Sequence, residues 1–363
     1  MSQIHQRRYD IDWLRVIAIG LLLVYHVAIA FQPWGSMVGF ITHTTPWETL
    51  WVPMAMLNVW RIPLLFFVSG MGIYFSMQNR NIKQLLQERT IRILIPFIFG
   101  VFVIAPIYIY VLQIYYGREK AYSPNPAHLW FLGNIFVYVM VLSPLLFYLN
   151  NNKKAIQIIA RIFSNPLGLL MVFALFTLEI LLVKPAIFEL YVMTWHGFFL
   201  GMIAFLLGFC FATTGTPFWD MLVKWKWLSV ALAMSMYIYR VFQPLMKVSD
   251  IQLVIESNLW IYTVLAFGYQ YLNTPSKILS YLSKAVYPVY IIHMIFLILG
   301  SVLIFPLNIS VYSKYFLILF FTIGGSFGSY ELVIKRFVLL RFLFGLNLKK
   351  EENKSSVQQK VIS

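Results

Sequence analysis

Most of the chemistry available to this chain rests on a few histidines and arginines set in otherwise apolar sequence. Arg15 and His26 are 11 positions apart. On a helix that is three turns plus about 20°, so both side chains share one face, about 16 Å apart along the axis. Asp12 precedes Arg15 by three residues, a spacing at which helical side chains meet. Imidazole titrates near neutrality and suits removal of a hydroxyl proton. Arginine binds carboxylates and phosphates and steadies a developing oxyanion. Arg61 lies in Asn58-Val59-Trp60-Arg61-Ile62-Pro63, where Pro63 frees a carbonyl about a turn earlier, near Asn58-Val59. Ser69-Gly70 follows as a small pair that permits close helix approach. Arg89 and Arg92 share a face at i and i+3, and beside a helix N-terminus they make a phosphate clamp.

A second imidazole, His293, falls about mid-membrane in the ninth apolar run, in Tyr287-Pro288-Val289-Tyr290-Ile291-Ile292-His293. His128 and Trp130 open one apolar run and His196 opens another. Each of these residues also has a plainer reading. A lone buried histidine is usually a satisfied structural group. Arg61 fits a kinked helix with a buried ion pair, Arg89 and Arg92 fit a basic anchor, and Trp130 fits an interfacial belt. Glu331 and Lys335 are spaced for an ordinary i, i+4 ion pair. The one cysteine, Cys210, lies in an apolar run and reads as packing. There is no HExxH, Walker loop, GxSxG or Cys/His metal spacing, so neither a metal nor a bound cofactor is expected.

The elements that must position these groups follow from composition. The chain has 363 residues, 60% hydrophobic and 11% charged. A soluble domain carries about 25% charged residues, and this chain has too little polar surface to cover its apolar content in water. Spanning helices need about 20 apolar residues, and ten such runs are legible, near 11–31, 51–77, 91–116, 128–149, 166–183, 195–213, 227–246, 254–273, 284–305 and 312–335. Inside a bilayer the backbone must satisfy itself, so all ten read as helices. The expected fold is an all-α polytopic membrane protein in one domain over 1–348, with a polar, disordered cytoplasmic tail at 349–363.

The net charge of +15 resembles a nucleic-acid signature until the charges are sorted. With the N-terminus cytoplasmic, twenty of the 28 Lys and Arg fall inside, six outside, and Arg15 and Arg61 within helices. That asymmetry is the positive-inside rule against an anionic leaflet, with both termini cytoplasmic and no nucleic-acid partner. Asp12 and Arg15 interrupt the first run and argue against a cleaved signal peptide.

The motifs, taken in order, resemble the integral-membrane acyltransferase family 3. Arg15 with His26 matches its R-X10-H motif, and Asp12-Trp13-Leu14-Arg15 its opening pattern. Arg61-Ile62-Pro63 leading to Phe67-Val68-Ser69-Gly70 is similar to its second-helix signature, with Met71 where Phe is usual. Arg89-Thr90-Ile91-Arg92 with Pro96 matches its RxxR-to-Pro element. The segments at His128 and His293 resemble the OpgC-type glucan succinyltransferase branch.

The resemblance implies an O-acyltransferase that moves an acetyl or succinyl group from cytoplasmic acyl-CoA to a hydroxyl of an extracytoplasmic glycan or glycolipid. It implies a bacterial plasma membrane, the inner membrane if Gram-negative, with membrane lipid as surroundings. His26 is then the expected base, with Arg15, Arg61 and His293 as the other catalytic residues. Arg89, Arg92, Ser69 and Asp12 are expected at the donor, and His128, Trp130 and His196 at the acceptor. The rival reading is a permease for a small anionic solute, since Pro63 and Pro288 also suit broken transporter helices. No paired inverted repeat supports it.

Overall fold

The computed structural model describes residues 7–346, and the expected tail at 349–363 lies outside them. Helices account for all ten expected runs. They are α1 (Tyr9–Ile29), α2 (Trp51–Met77), α3 (Ile82–Tyr115), α4 (Trp130–Asn151), α5 (Lys153–Phe163), α6 (Leu167–Val183), α7 (Trp195–Thr214), α8 (Thr216–Val241), α9 (Asp250–Tyr271), α10 (Lys277–Ile304), α11 (Val311–Ser329) and the short α12 (Val338–Leu343). Among the described residues, eight helices are long and apolar enough to cross a membrane by themselves. The expected fifth span, α6, qualifies only together with α5, from which it is bent by 96°. The expected seventh, α8, is long enough at 26 residues but carries Asp220, Lys224, Lys226 and Arg240.

Partners on α9 explain how α8 buries two of those charges, Lys226 and Arg240. Lys226 bonds Gln270 near one end, and Arg240 meets Glu256 at 2.7 Å near the other. Each step forward on α8 matches an equal step back on α9. The two therefore run antiparallel over fourteen residues, about 21 Å, and α8 lies alongside an apolar span with Arg240 neutralised.

Two features of α2 set the centre of the bundle. The carbonyl that Pro63 leaves without its N–H partner is that of Val59. It accepts from the Tyr191 hydroxyl at 3.1 Å and from the Ser257 hydroxyl at 2.7 Å. Further along, α2 and α7 cross at glycine. A Cβ on Gly70 would lie 1.9 Å from the Phe205 carbonyl oxygen, and one on Gly208 would lie 2.0 Å from that of Phe67. Backbone stands in the way, so no rotamer change relieves the clash. Gly70→Val is expected to force the helices apart at a cost on the order of 3 kcal/mol or more, read as a lowered melting temperature in detergent; an unchanged melting temperature would refute the close crossing.

The third helix corrects one expectation. Arg89 and Arg92 do not open a helix, because Asn81 and Gln84 form a reciprocal capping box that starts α3 at Ile82, seven residues before Arg89. No helix N-terminus is available to them. Instead the helix widens into π turns at Thr90–Leu94 and Gly100–Ile104, and a third π turn at Tyr330–Ile334 follows α11. Such turns re-aim side chains and are frequent at functional sites.

Candidate active site

His26 and His293 meet across α1 and α10. Their rings stack at 5.1 Å and 19°, with Nδ1 of His26 2.8 Å from Nε2 of His293. The hydrogen-bond partners fix the tautomers. His293 Nδ1 lies 2.7 Å from the Tyr290 carbonyl oxygen, which only accepts, so this nitrogen carries the proton. Nε2 of neutral His293 is then an acceptor, and it takes the proton that His26 holds on Nδ1. Nε2 of His26 is left with a free lone pair. His293 is fully buried, whereas His26 retains partial access. Phe40 walls His26 edge-on at 5.7 Å.

His128 joins this group but spends both nitrogens on the protein. Its Nε2 donates to the Ile291 carbonyl at 3.1 Å, and its Nδ1 accepts from the Tyr108 hydroxyl at 3.2 Å. It packs edge-on against His293 at 5.0 Å and so fixes that ring. Tyr290 completes the support by donating to the His128 carbonyl at 2.5 Å.

Arg61 is fully buried, and none of its three guanidinium nitrogens has a hydrogen-bond partner. Its guanidinium lies 4.0 Å over the ring of Tyr25, the residue before His26. A cation–π contact offsets part of the cost of burial. It leaves five N–H donors for an anionic or carbonyl oxygen arriving from outside the chain. The ion pair that the plainer reading required is not formed.

A cavity of about 750 Å³ opens between α1, α2, α3, α4 and α10. Its walls carry Arg15, Arg89, Arg92, Lys284, Lys335 and Arg341, a strongly cationic lining. Arg89 is held on Ser76 at 2.5 Å, and Arg92 pairs with Glu88 at 3.0 Å. Ser69 lines the cavity while returning its hydroxyl to Leu65 at 2.7 Å. The inner walls include Ile19 and Tyr290. Ile19 is seven residues before His26 on α1, about 10 Å away along the axis. Tyr290 stacks on His293, so one ring lines the cavity and touches the imidazole pair. The cationic cavity thus points toward the histidines.

The structure therefore assembles His26, His293 and His128 in one cluster, and Arg15, Ser69, Arg89 and Arg92 in one cavity. Other expected residues stand apart. Asp12 is taken mainly by Arg7 at 2.7 Å and reaches Arg15 only at 3.5 Å, and it does not line the cavity. Trp130 is buried against Phe66 and Phe131. His196 lies elsewhere, buried between Glu179 at 3.0 Å and the Phe188 carbonyl at 3.0 Å. Glu331 and Lys335 form their i, i+4 pair at 3.0 Å. Lys284, Lys335 and Arg341 were legible only as basic anchors, because nothing in their spacing shows that they converge. Among the described residues no three His, Cys, Asp or Glu side chains gather as a metal site.

Comparison with known proteins gives two matches. A family model described as an acyltransferase domain matches residues 8–331. Glucans biosynthesis protein C of Shigella dysenteriae serotype 1 (strain Sd197) is 24% identical over 386 residues, covering 96% of this chain and 97% of that protein. No solved structure gives a significant match.

Proposed function

Because the chain belongs to the membrane acyltransferase family whose model spans residues 8–331, we propose that it moves an acetyl or succinyl group from cytoplasmic acyl-CoA to a glycan hydroxyl on the other side of the membrane. The observation that carries this reading is the imidazole chain, which leaves a lone pair on His26 Nε2 beyond a cationic cavity. A phosphate-bearing donor suits Arg15, Arg89 and Arg92 at that cavity. Apart from Arg15, the cations of the cavity all belong to segments counted as inside, which supports a cytoplasmic mouth.

In the proposed reaction His26 Nε2 takes the proton of the acceptor hydroxyl as its oxygen attacks the thioester carbon. The C–S bond breaks, and the same imidazolium returns the proton to the departing thiolate. Arg61 supplies N–H donors to the oxyanion formed on the way. His293 acts through His26, holding its proton on Nδ1. The name of the Shigella protein makes a glucan the first acceptor to try. The proposed setting is a bacterial plasma membrane with ten spans and both termini cytoplasmic.

Proteoliposomes loaded with labelled acyl-CoA on the cationic side and glucan on the other provide the test. Label in the glucan, with acetyl and succinyl donors compared, is the expected outcome. An unconsumed donor combined with uptake of a small anion would overturn the proposal in favour of a permease.

A further inference from the structure

The chain after α11 does not leave the bundle directly. It turns at Lys335–Phe337, forms α12 and comes back to α3. Phe344 is buried and packs edge-on against Phe99 at 5.4 Å. Gly345 follows with φ +67°, so close to α3 that a Cβ would lie 2.8 Å from the Arg92 carbonyl oxygen. The opposite side of this segment is apolar and uncovered, with Phe337, Val338 and Leu339 each more than half exposed. The segment therefore lies at the rim with one side on the cavity and the other outward. From the cavity side it contributes Lys335, Arg341, Gly345 and Leu346 to the same walls as Arg89 and Arg92.

We propose that residues 335–346 form a strap across the mouth of the cavity, and that Lys335 and Arg341 on it are donor-binding residues. The donor's phosphates would be gripped from two sides, by Arg89 and Arg92 of α3 and by the strap. Bound donor then ties the strap to α3, and donor release requires Phe344 and Gly345 to let go. This rests on the acyl-CoA reading above. Arg341 stands three residues before Phe344 and reaches the cavity wall with Phe344 seated on Phe99, so loss of that ring weakens donor binding without removing any charge.

The test is titration of the full chain in nanodiscs with free coenzyme A. Arg341→Gln and Lys335→Gln are each expected to weaken binding about tenfold, as loss of one charge-assisted contact would. Phe344→Ala is expected to weaken it comparably, while Lys153→Gln, whose residue is exposed on α5 and off the cavity wall, leaves it unchanged. Hydrogen exchange of 335–346 in the unmodified protein should slow when coenzyme A is added, a readout independent of any variant's folding. Wild-type affinity in Arg341→Gln and Lys335→Gln, with no change in exchange, would overturn the strap and leave the donor reading standing. Failure of the unmodified protein to bind coenzyme A would instead remove the donor reading.

Discussion

His26→Ala is expected to lower acyl transfer by about 10²–10⁴-fold, the usual contribution of a positioned general base, while the protein remains folded in the membrane. Neither neighbouring imidazole is placed to take over: both nitrogens of His128 are bonded within the protein, and the Nε2 lone pair that the variant frees on His293 belongs to a fully buried ring. The small partial exposure of His26 also limits the structural cost of truncation. His293→Ala should give a smaller loss, since it removes only the group that holds the proton on His26 Nδ1. The double variant should be no worse than His26→Ala, because residues acting as one unit are non-additive. Initial rates with acyl-CoA and glucan, on protein quantified by size-exclusion fluorescence, read all three. Transfer by His26→Ala within threefold of wild type would sink the assignment of the base.

The second large effect moves activity and stability in opposite directions. Arg61 is a fully buried cation with no hydrogen-bond partner on any nitrogen, held over Tyr25. Arginine at the centre of a spanning helix costs about 2.5–3.5 kcal/mol on insertion scales, and the apo fold repays that with one ring contact. Met has a similar reach and no charge. Arg61→Met should therefore raise stability by about 1–4 kcal/mol, the range seen when buried charges give way to apolar packing, and should cost about 10²–10³-fold in rate if Arg61 faces the oxyanion. Thermal unfolding in detergent and initial rates on one preparation give both numbers. A destabilised variant would mean that Arg61 has a structural partner; a stable and fully active one would remove it from the chemistry.

The sequence made much of the site legible because charge is so scarce in it. Arg15, His26 and Arg61 could be singled out since a bilayer tolerates few such groups, and helical spacing alone put Arg15 and His26 on one face. The Pro63 kink and the freed carbonyl beside Val59 were readable from covalent chemistry. What spacing could not supply was convergence between helices. His293 pairs with His26 across 267 positions, and Arg341 joins Arg92 through a backward turn whose only local sign is Gly345. The misjudged start of α3 has a local cause. The apolar run begins near residue 91, but the Asn81 cap lies in polar sequence that hydropathy ignores. The apolar run read at 227–246 likewise covers only part of α8, because Asp220, Lys224 and Lys226 stand in its first half.

The Val59 carbonyl constrains how the protein can be made. Its two hydroxyl partners lie 132 and 198 residues downstream. At about 5–20 residues per second, the ribosome needs on the order of ten seconds after α2 to deliver the first of them. Throughout that interval the second helix carries an unfilled acceptor that lipid cannot satisfy. Newly made α2 must therefore stay beside water, translocon or another polar surface until Tyr191 and then Ser257 arrive. Release of the nascent bundle into open lipid is timed by the later half of the chain.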